Sequence, residues 1–232
     1  MAKWYIESDK IELMRKQRSN KRCNEQCEGA SCEEEQSKLI CIPPDENNIN
    51  SRLIGLYGPI DEDRCREMIA GLYYLKESGK ETIVDEEKKA IINHYSPIKF
   101  LISTEGGVVA DAFAVYDVMR DVQKDCEIHT FGVGVVMSAG VLLLAAGTKG
   151  QRRIGKNCRL MIHQITSGNY GHLEDLEASF NEARWCQEQY IEELCKLTKL
   201  TKNKMLSIFK KKVDFYFDSV TALKLGIVDE IV

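Results

Sequence analysis

The chain has 232 residues, a formal net charge of -4 and a hydrophobic fraction of 44%; that is enough apolar material for one domain with a core, and it excludes wholesale disorder. Nine cysteines thinly spread over this length do not make a disulfide scaffold, and the mild acidity argues against nucleic acid as the main partner. No basic-then-apolar leader opens the chain, and the longest apolar run, residues 133–147, is broken by Ser138 and glycines and is too short to span a membrane, so the expected setting is a reducing one, cytoplasm or organelle matrix, with thiols mostly free.

Residues 1–50 differ from the rest. A basic stretch with Lys10, Arg15, Lys16, Arg18, Lys21 and Arg22 gives way to an acidic one, and Pro43-Pro44 with Asn47-Asn48 reads as a linker. Cys23, Cys27, Cys32 and Cys41 fall here, but their gaps do not match the paired C-x-x-C of a zinc ribbon. The segment is expected to be a mobile N-terminal extension or propeptide-like piece, and residues 51–232 the folded domain.

In chain order, 53–56 reads as a short strand ending at Gly58-Pro59. Cys65, Met68, Ile69, Leu72 and Leu75 then share one face of a helix. Residues 79–96 read as a charged connection with no clear partner. A strand at 98–103 runs into the turn Thr104-Glu105-Gly106-Gly107, and 109–120 reads as a helix. A strand at 128–134 is followed by a buried helix, 138–146, then a strand at 159–164 and one long helix, 173–198, roughly 39 Å at 1.5 Å per residue. Alternating strands and helices mean α/β.

Ser138 is placed between a strand and a helix start. Its hydroxyl would lie beside free backbone N–H groups and the positive end of a helix dipole, features that stabilise a developing oxyanion. Gly140 would open the turn to a substrate backbone. The G-x-S-x-G elbow is not met, since Val136 stands where glycine would be, and a simple N-cap serine is the commoner explanation for such a residue. Gly106-Gly107 also joins a strand to a helix and could supply a second set of N–H donors. His163, in the mostly apolar Arg159-Leu160-Met161-Ile162-His163-Gln164, could act as general base or could be a satisfied core histidine. Residues 150–156 fit the first seven positions of a phosphate-binding loop, but Asn157 has no hydroxyl for magnesium and a strand, not a helix, follows. The stretch is read as two short strands and a turn, and ATP hydrolysis by this chain is not expected.

Taken together, these segments resemble the ClpP family, the proteolytic subunits of ATP-dependent Clp proteases. Residues 138–147, SAGVLLLAAG, resemble the family's S-M-G-x-L-L-L-A-A-G; residues 159–164 resemble R-x-M-I-H-Q; 103–107 stand where the family has N-S-P-G-G; and 225–229 resemble its terminal Y-G-L-[IV]-D. The likeness covers roughly residues 52–232. It implies a crotonase-like spiral of ββα units with a long protruding handle helix, 173–198, whose stripe of Leu176, Phe180, Ala183, Tyr190, Leu194 and Leu197 would join two heptameric rings, homo- or hetero-oligomeric, as a tetradecamer. It implies Ser138 as nucleophile, His163 as base, Asp214 as orienting acid, with Asp218 as competitor if a gap is allowed, and the N–H groups of Gly107 and Ala139 as the oxyanion hole. It implies polypeptide substrates, an AAA+ Clp ATPase unfoldase as partner, residues 165–170 pairing with extended substrate, and no cofactor, metal, nucleic acid or membrane.

The chain departs from the family pattern at Glu105 for proline, at Ala139 for methionine, at Val136 and Met137 for small residues, and at Val213 and Phe215 beside the aspartate. Bulk at Val136 and Met137 could crowd the elbow, which keeps a catalytically weak or inactive ring subunit as the alternative; a crotonase-type acyl-CoA enzyme is the third reading, though it would have no use for the serine and histidine pair.

Overall fold

A computed structural model describes residues 52–85 and 90–232. The expectations for residues 1–50, with their four cysteines, lie outside the described residues.

The main sheet is mostly parallel, and along β1, β4 and β5 buried residues alternate with partly buried or exposed ones, so one face of these strands carries the core. Strands β1 (Leu53–Tyr57), β4 (Ile98–Thr104), β5 (Ile128–Met137), β6 (Arg153–Ile154) and β9 (Glu230–Ile231) lie side by side in that order, and β7 (Arg159–Ile162) also pairs with β5. Only β8 (Phe215–Phe217) breaks the parallel rule, running antiparallel to β7. Helix α1 (Glu62–Ser78) buries Cys65, Met68, Leu72 and Leu75, as the spacing predicts, and α2 (Val109–Val122) buries Val109, Ala112, Val115, Met119 and Val122. Helix α3 (Ala139–Ala145) is buried all round, which is what a short run with no polar residue requires. Helices α4 (Leu173–Leu197), α5 (Lys202–Lys210) and α6 (Ser219–Lys224) complete the mixed α/β architecture that the sequence predicts.

Three elements differ from the sequence reading. The charged connection at 79–96 holds a hairpin, β2 (Lys80–Asp85) against β3 (Ala90–Tyr95), with Glu81 opposite His94 and Thr82 opposite Asn93. Charges on β2 hid it: Lys80, Glu81 and Asp85 flank Ile83 and Val84, which face solvent. Strand β5 does not stop at Gly134. Its pairing with β4 jumps from Ile102–Gly132 to Thr104–Val136, so two extra residues bulge out around Gly134 at φ +63°, and the strand is re-aimed before continuing to Met137. The stripe on α4 splits in two. Tyr190 and Leu194 are buried in the chain's own core beside Cys186 and Ile191, whereas Leu176 and Phe180 are exposed, the latter by 60%.

The phosphate-loop lookalike is a turn followed by β6, and its N–H groups already hold an anion from the same chain. Gly150 and Arg152 donate to Asp229 Oδ2 at 2.7 and 3.1 Å. Arg152, 3% exposed, also donates its guanidinium to both Asp229 oxygens at 2.8 and 2.7 Å and to the carbonyls of Ala145 and Leu197 at 3.3 and 2.9 Å. One buried cation therefore closes the C-terminal ends of α3 and α4 and ties β6 to the end of the chain.

Burial alone would raise the Asp229 carboxyl, but hydrogen bonds from the Arg152 side chain and backbone outweigh it and hold the group below the usual range. A depressed carboxylate contributes stability above its unfolded pKa of about 3.9, and that contribution is lost as pH falls through the folded value. Asp229→Asn is expected to cost about 3 kcal/mol at pH 7, because it strands a buried guanidinium. Urea melts from pH 7 down to pH 2 check this: the gap between variant and wild type narrows only below about pH 4.

Candidate active site

Three neighbouring strands end at one place. Ser138 follows β5, His163 follows β7, and Asp214 precedes β8. The antiparallel register pairs Leu160 with Phe217, Met161 with Tyr216 and Ile162 with Phe215, so the next position along the ladder sets His163 opposite Asp214. The same register sets Asp218 opposite Arg159 at the far end, four residues away, about 13 Å along the strand. Asp218 has a different use: it caps α6, accepting from Thr221 N at 2.8 Å, and hydrogen bonding to Thr221 lowers its pKa.

Ser138 sits at φ 57°, ψ -124°, a backbone region that costs a non-glycine residue about 1–3 kcal/mol and persists only where the surroundings enforce it. Its N–H donates to Met161 O at 2.7 Å, and its carbonyl accepts from Val141 N at 3.1 Å and Tyr190 Oη at 3.0 Å. The side chain makes no capping bond, so the simple N-cap reading does not describe it. Instead Ser138 Oγ lies 2.8 Å from His163 Nε2, both residues buried. His163 Nδ1 faces Asp214 Oδ1 at 3.9 Å, an ion-pair separation longer than a hydrogen bond. Asp214 is 31% exposed and follows a turn in which Lys212 takes φ 52°. A cavity of about 200 Å³, lined by His163, Gln164, Thr166, Phe209, Lys212, Val213 and Asp214, opens beside the pair.

On the other side of β5 lies the turn after β4. Gly106 N donates to Thr104 Oγ1 at 3.0 Å; Ile60 N donates to Gly106 O at 2.9 Å, and Val108 N to Ile60 O at 2.9 Å. In this parallel bridge Ile60 uses the groups flanking Gly107, which turns the Gly107 N–H to the opposite side. A Cβ at Gly106, where φ is +98°, would stand 2.6 Å from Ser138 Cβ, and one at Gly107 would stand 2.1 Å from Ile60 O. Both positions need glycine for close approach.

Gly140 has another role than the one expected. A Cβ there would meet Thr104 Cγ2 at 2.3 Å, so this glycine lets α3 pack onto β4 and does not open the turn to a substrate. Val136 is fully buried beside Gly132 and Gly140, turned into the core and not towards the hydroxyl. The sequence reading missed two contributors. Tyr190 was indistinguishable from the core residues of its stripe; the aromatic run Phe215-Tyr216-Phe217 is a strand signal that, once read, gives the Asp214 register. Among the described residues, no group of three His, Cys, Asp or Glu side chains is placed to hold a metal ion, and no helix is long and apolar enough to cross a membrane.

The family model described as Clp protease matches residues 45–232. The ATP-dependent Clp protease proteolytic subunit 1 of Prochlorococcus marinus is 32% identical over 183 residues, covering 78% of this chain and 83% of that protein. The ATP-dependent Clp protease proteolytic subunit of Deinococcus radiodurans is 29% identical over 184 residues, 79% of this chain and 81% of its own. Proteolytic subunit 2 of a Synechococcus species is 28% identical over 184 residues, covering 79% and 84%.

The close approach of Gly106 to Ser138 makes a stability prediction. Gly106→Ala is expected to lose about 1–3 kcal/mol from backbone strain and overlap, whereas Gly168→Ala, where a Cβ meets nothing within 4 Å, is expected to stay within about 0.5 kcal/mol of wild type. Urea unfolding of both variants checks it.

Proposed function

The chain belongs to the Clp protease family, a family of serine peptidases, and from that premise we propose that it is an active endopeptidase subunit that hydrolyses peptide bonds of unfolded polypeptides. The observation that carries this reading is the 2.8 Å contact between Ser138 Oγ, held at φ 57°, and His163 Nε2.

In this reading Ser138 Oγ attacks the scissile carbonyl carbon while His163 Nε2 takes the hydroxyl proton. The carbonyl oxygen becomes an oxyanion facing the N–H groups of Gly107 and Ala139, donors fixed in place before the charge develops. His163 then gives its proton to the leaving amine, and the C–N bond breaks to leave an acyl-Ser138. Water, deprotonated by His163, attacks the ester, and the carboxylic product leaves as the proton returns to Ser138 Oγ. Asp214 stabilises the imidazolium formed in each half-reaction. A closure of about 1 Å brings its oxygen from 3.9 Å to hydrogen-bond distance of Nδ1, and the solvent-open turn before it, with left-handed Lys212, is where that movement takes place. Of the two bulky residues before the serine, Val136 and Met137, Val136 lies in the core, which supports the active reading.

The exposed apolar half of α4, with Leu173, Leu176 and Phe180, supports assembly into stacked heptameric rings with the helix as handle, because such a face on a lone subunit would be sticky. An AAA+ Clp ATPase feeding the chamber, and residues 165–170 pairing with extended substrate as an added strand, complete the proposal.

Hydrolysis of short fluorogenic peptides tests it. Ser138→Ala is expected to give no cleavage above background while scattering light as a particle of wild-type mass. Asp214→Asn is expected to lose about 10²–10⁴-fold in kcat, and Asp218→Asn to keep wild-type kcat with a slightly less stable α6. Cleavage by purified Ser138→Ala protein, or a wild-type rate for Asp214→Asn beside an inactive Asp218→Asn, overturns the assignment.

A further inference from the structure

The carbonyl of Ser138 and the N–H of Ala139 belong to one peptide unit. That unit is planar and trans, like every described peptide bond of the chain, so its C=O and N–H point in opposite directions and cannot be aimed independently. Whatever holds the carbonyl from behind sets the direction of the N–H in front.

Two donors hold that carbonyl. Val141 N, at 3.1 Å, is local, part of the first turn of α3. Tyr190 Oη, at 3.0 Å, reaches in from α4, 52 positions away in sequence. Tyr190 is buried, and burial pushes its phenol well above the ordinary range, so the group remains an O–H donor at working pH. A hydrogen bond onto an amide carbonyl also polarises the amide and strengthens its N–H as a donor.

We propose that Tyr190 is a positioning residue for the oxyanion hole: by holding the Ser138 carbonyl, its hydroxyl aims the Ala139 N–H at the carbonyl oxygen of the polypeptide substrate. This rests on the peptidase reading above. Tyr190 touches no substrate and moves no proton in the reaction. Its effect belongs to the transition state, where the oxygen carries charge, and not to substrate binding.

The test compares wild type, Tyr190→Phe and Ile191→Val in three measurements: active serines titrated with a fluorophosphonate, kcat and KM for a fluorogenic peptide, and Ki for a peptide aldehyde, whose hemiacetal oxygen occupies the oxyanion hole. Tyr190→Phe is expected to titrate the same number of serines as wild type, with kcat down about tenfold, the size of one hydrogen bond, KM unchanged and Ki raised in step with the loss in kcat. Ile191→Val, a packing change on the same helix, is expected to leave Ki unchanged. The proposal is overturned if Tyr190→Phe leaves kcat and Ki at wild-type values, if its loss is wholly a fall in titratable serines, or if Ile191→Val raises Ki equally. Failure of wild type itself to be modified or to cleave would overturn the peptidase reading and the positioning role with it.

Discussion

One backbone hydrogen bond, from Ser138 N to Met161 O at 2.7 Å, governs the geometry of the site. It extends the parallel ladder of β5 and β7 by a last rung beyond Met137–Met161, and it does so at a residue that has already left the strand conformation, at φ 57°. The strain of that backbone, about 1–3 kcal/mol, is held by the rung on one side and by the Val141 and Tyr190 bonds to the Ser138 carbonyl on the other. With the backbone fixed, the hydroxyl has one place to go, and the next residue of the neighbouring strand end, His163, is there. The antiparallel register of β7 and β8 then places Asp214. Ser138, His163 and Asp214 thus lie at the ends of three hydrogen-bonded neighbours, a layout produced by ladder geometry and not by loops.

The packing behind this edge is correspondingly tight. Gly106 lies against Ser138, Gly107 against Ile60 and Gly140 against Thr104, each at a separation that no side chain fits. Arg152 binds the C-terminal carbonyls of α3 and α4 from inside the core and is neutralised by Asp229. Helix α4 divides along its length: its C-terminal half brings Tyr190 to the elbow, and its N-terminal half carries the exposed Leu173, Leu176 and Phe180. Its apolar stripe reads as one face in the sequence because helical periodicity does not distinguish an apolar residue buried in the core from one left exposed.

Much of the fold was legible because the buried elements are strongly patterned. Helix α1 follows from Cys65, Met68, Leu72 and Leu75, the buried α3 from seven apolar residues, and the long α4 from an unbroken helical pattern. What escaped the sequence has local physical causes. Strand β2 carries Lys80, Glu81 and Asp85, and its Ile83 and Val84 face solvent, so it lacks the apolar alternation that marks a strand. The continuation of β5 past Gly134 is a bulge, and a glycine there reads as a stop. Ser138 and His163 were singled out by residue type and placement, and the structure sets them 2.8 Å apart. Asp214 could be reached only by alignment to a family pattern, since nothing within a single sequence announces the register of a three-residue strand. Tyr190 was invisible as anything but core, because its hydroxyl bond crosses 52 residues.

The most direct test of the account is where a serine-reactive reagent lands on the assembled wild-type protein. Incubation with a fluorophosphonate, followed by intact-mass measurement and peptide mapping, is predicted to show one adduct per chain, located on Ser138 and absent when the protein is first denatured. A chain that remains unmodified while fully folded and assembled, or an adduct on any other serine, would contradict the claim that the strained backbone at Ser138 presents an activated nucleophile to His163.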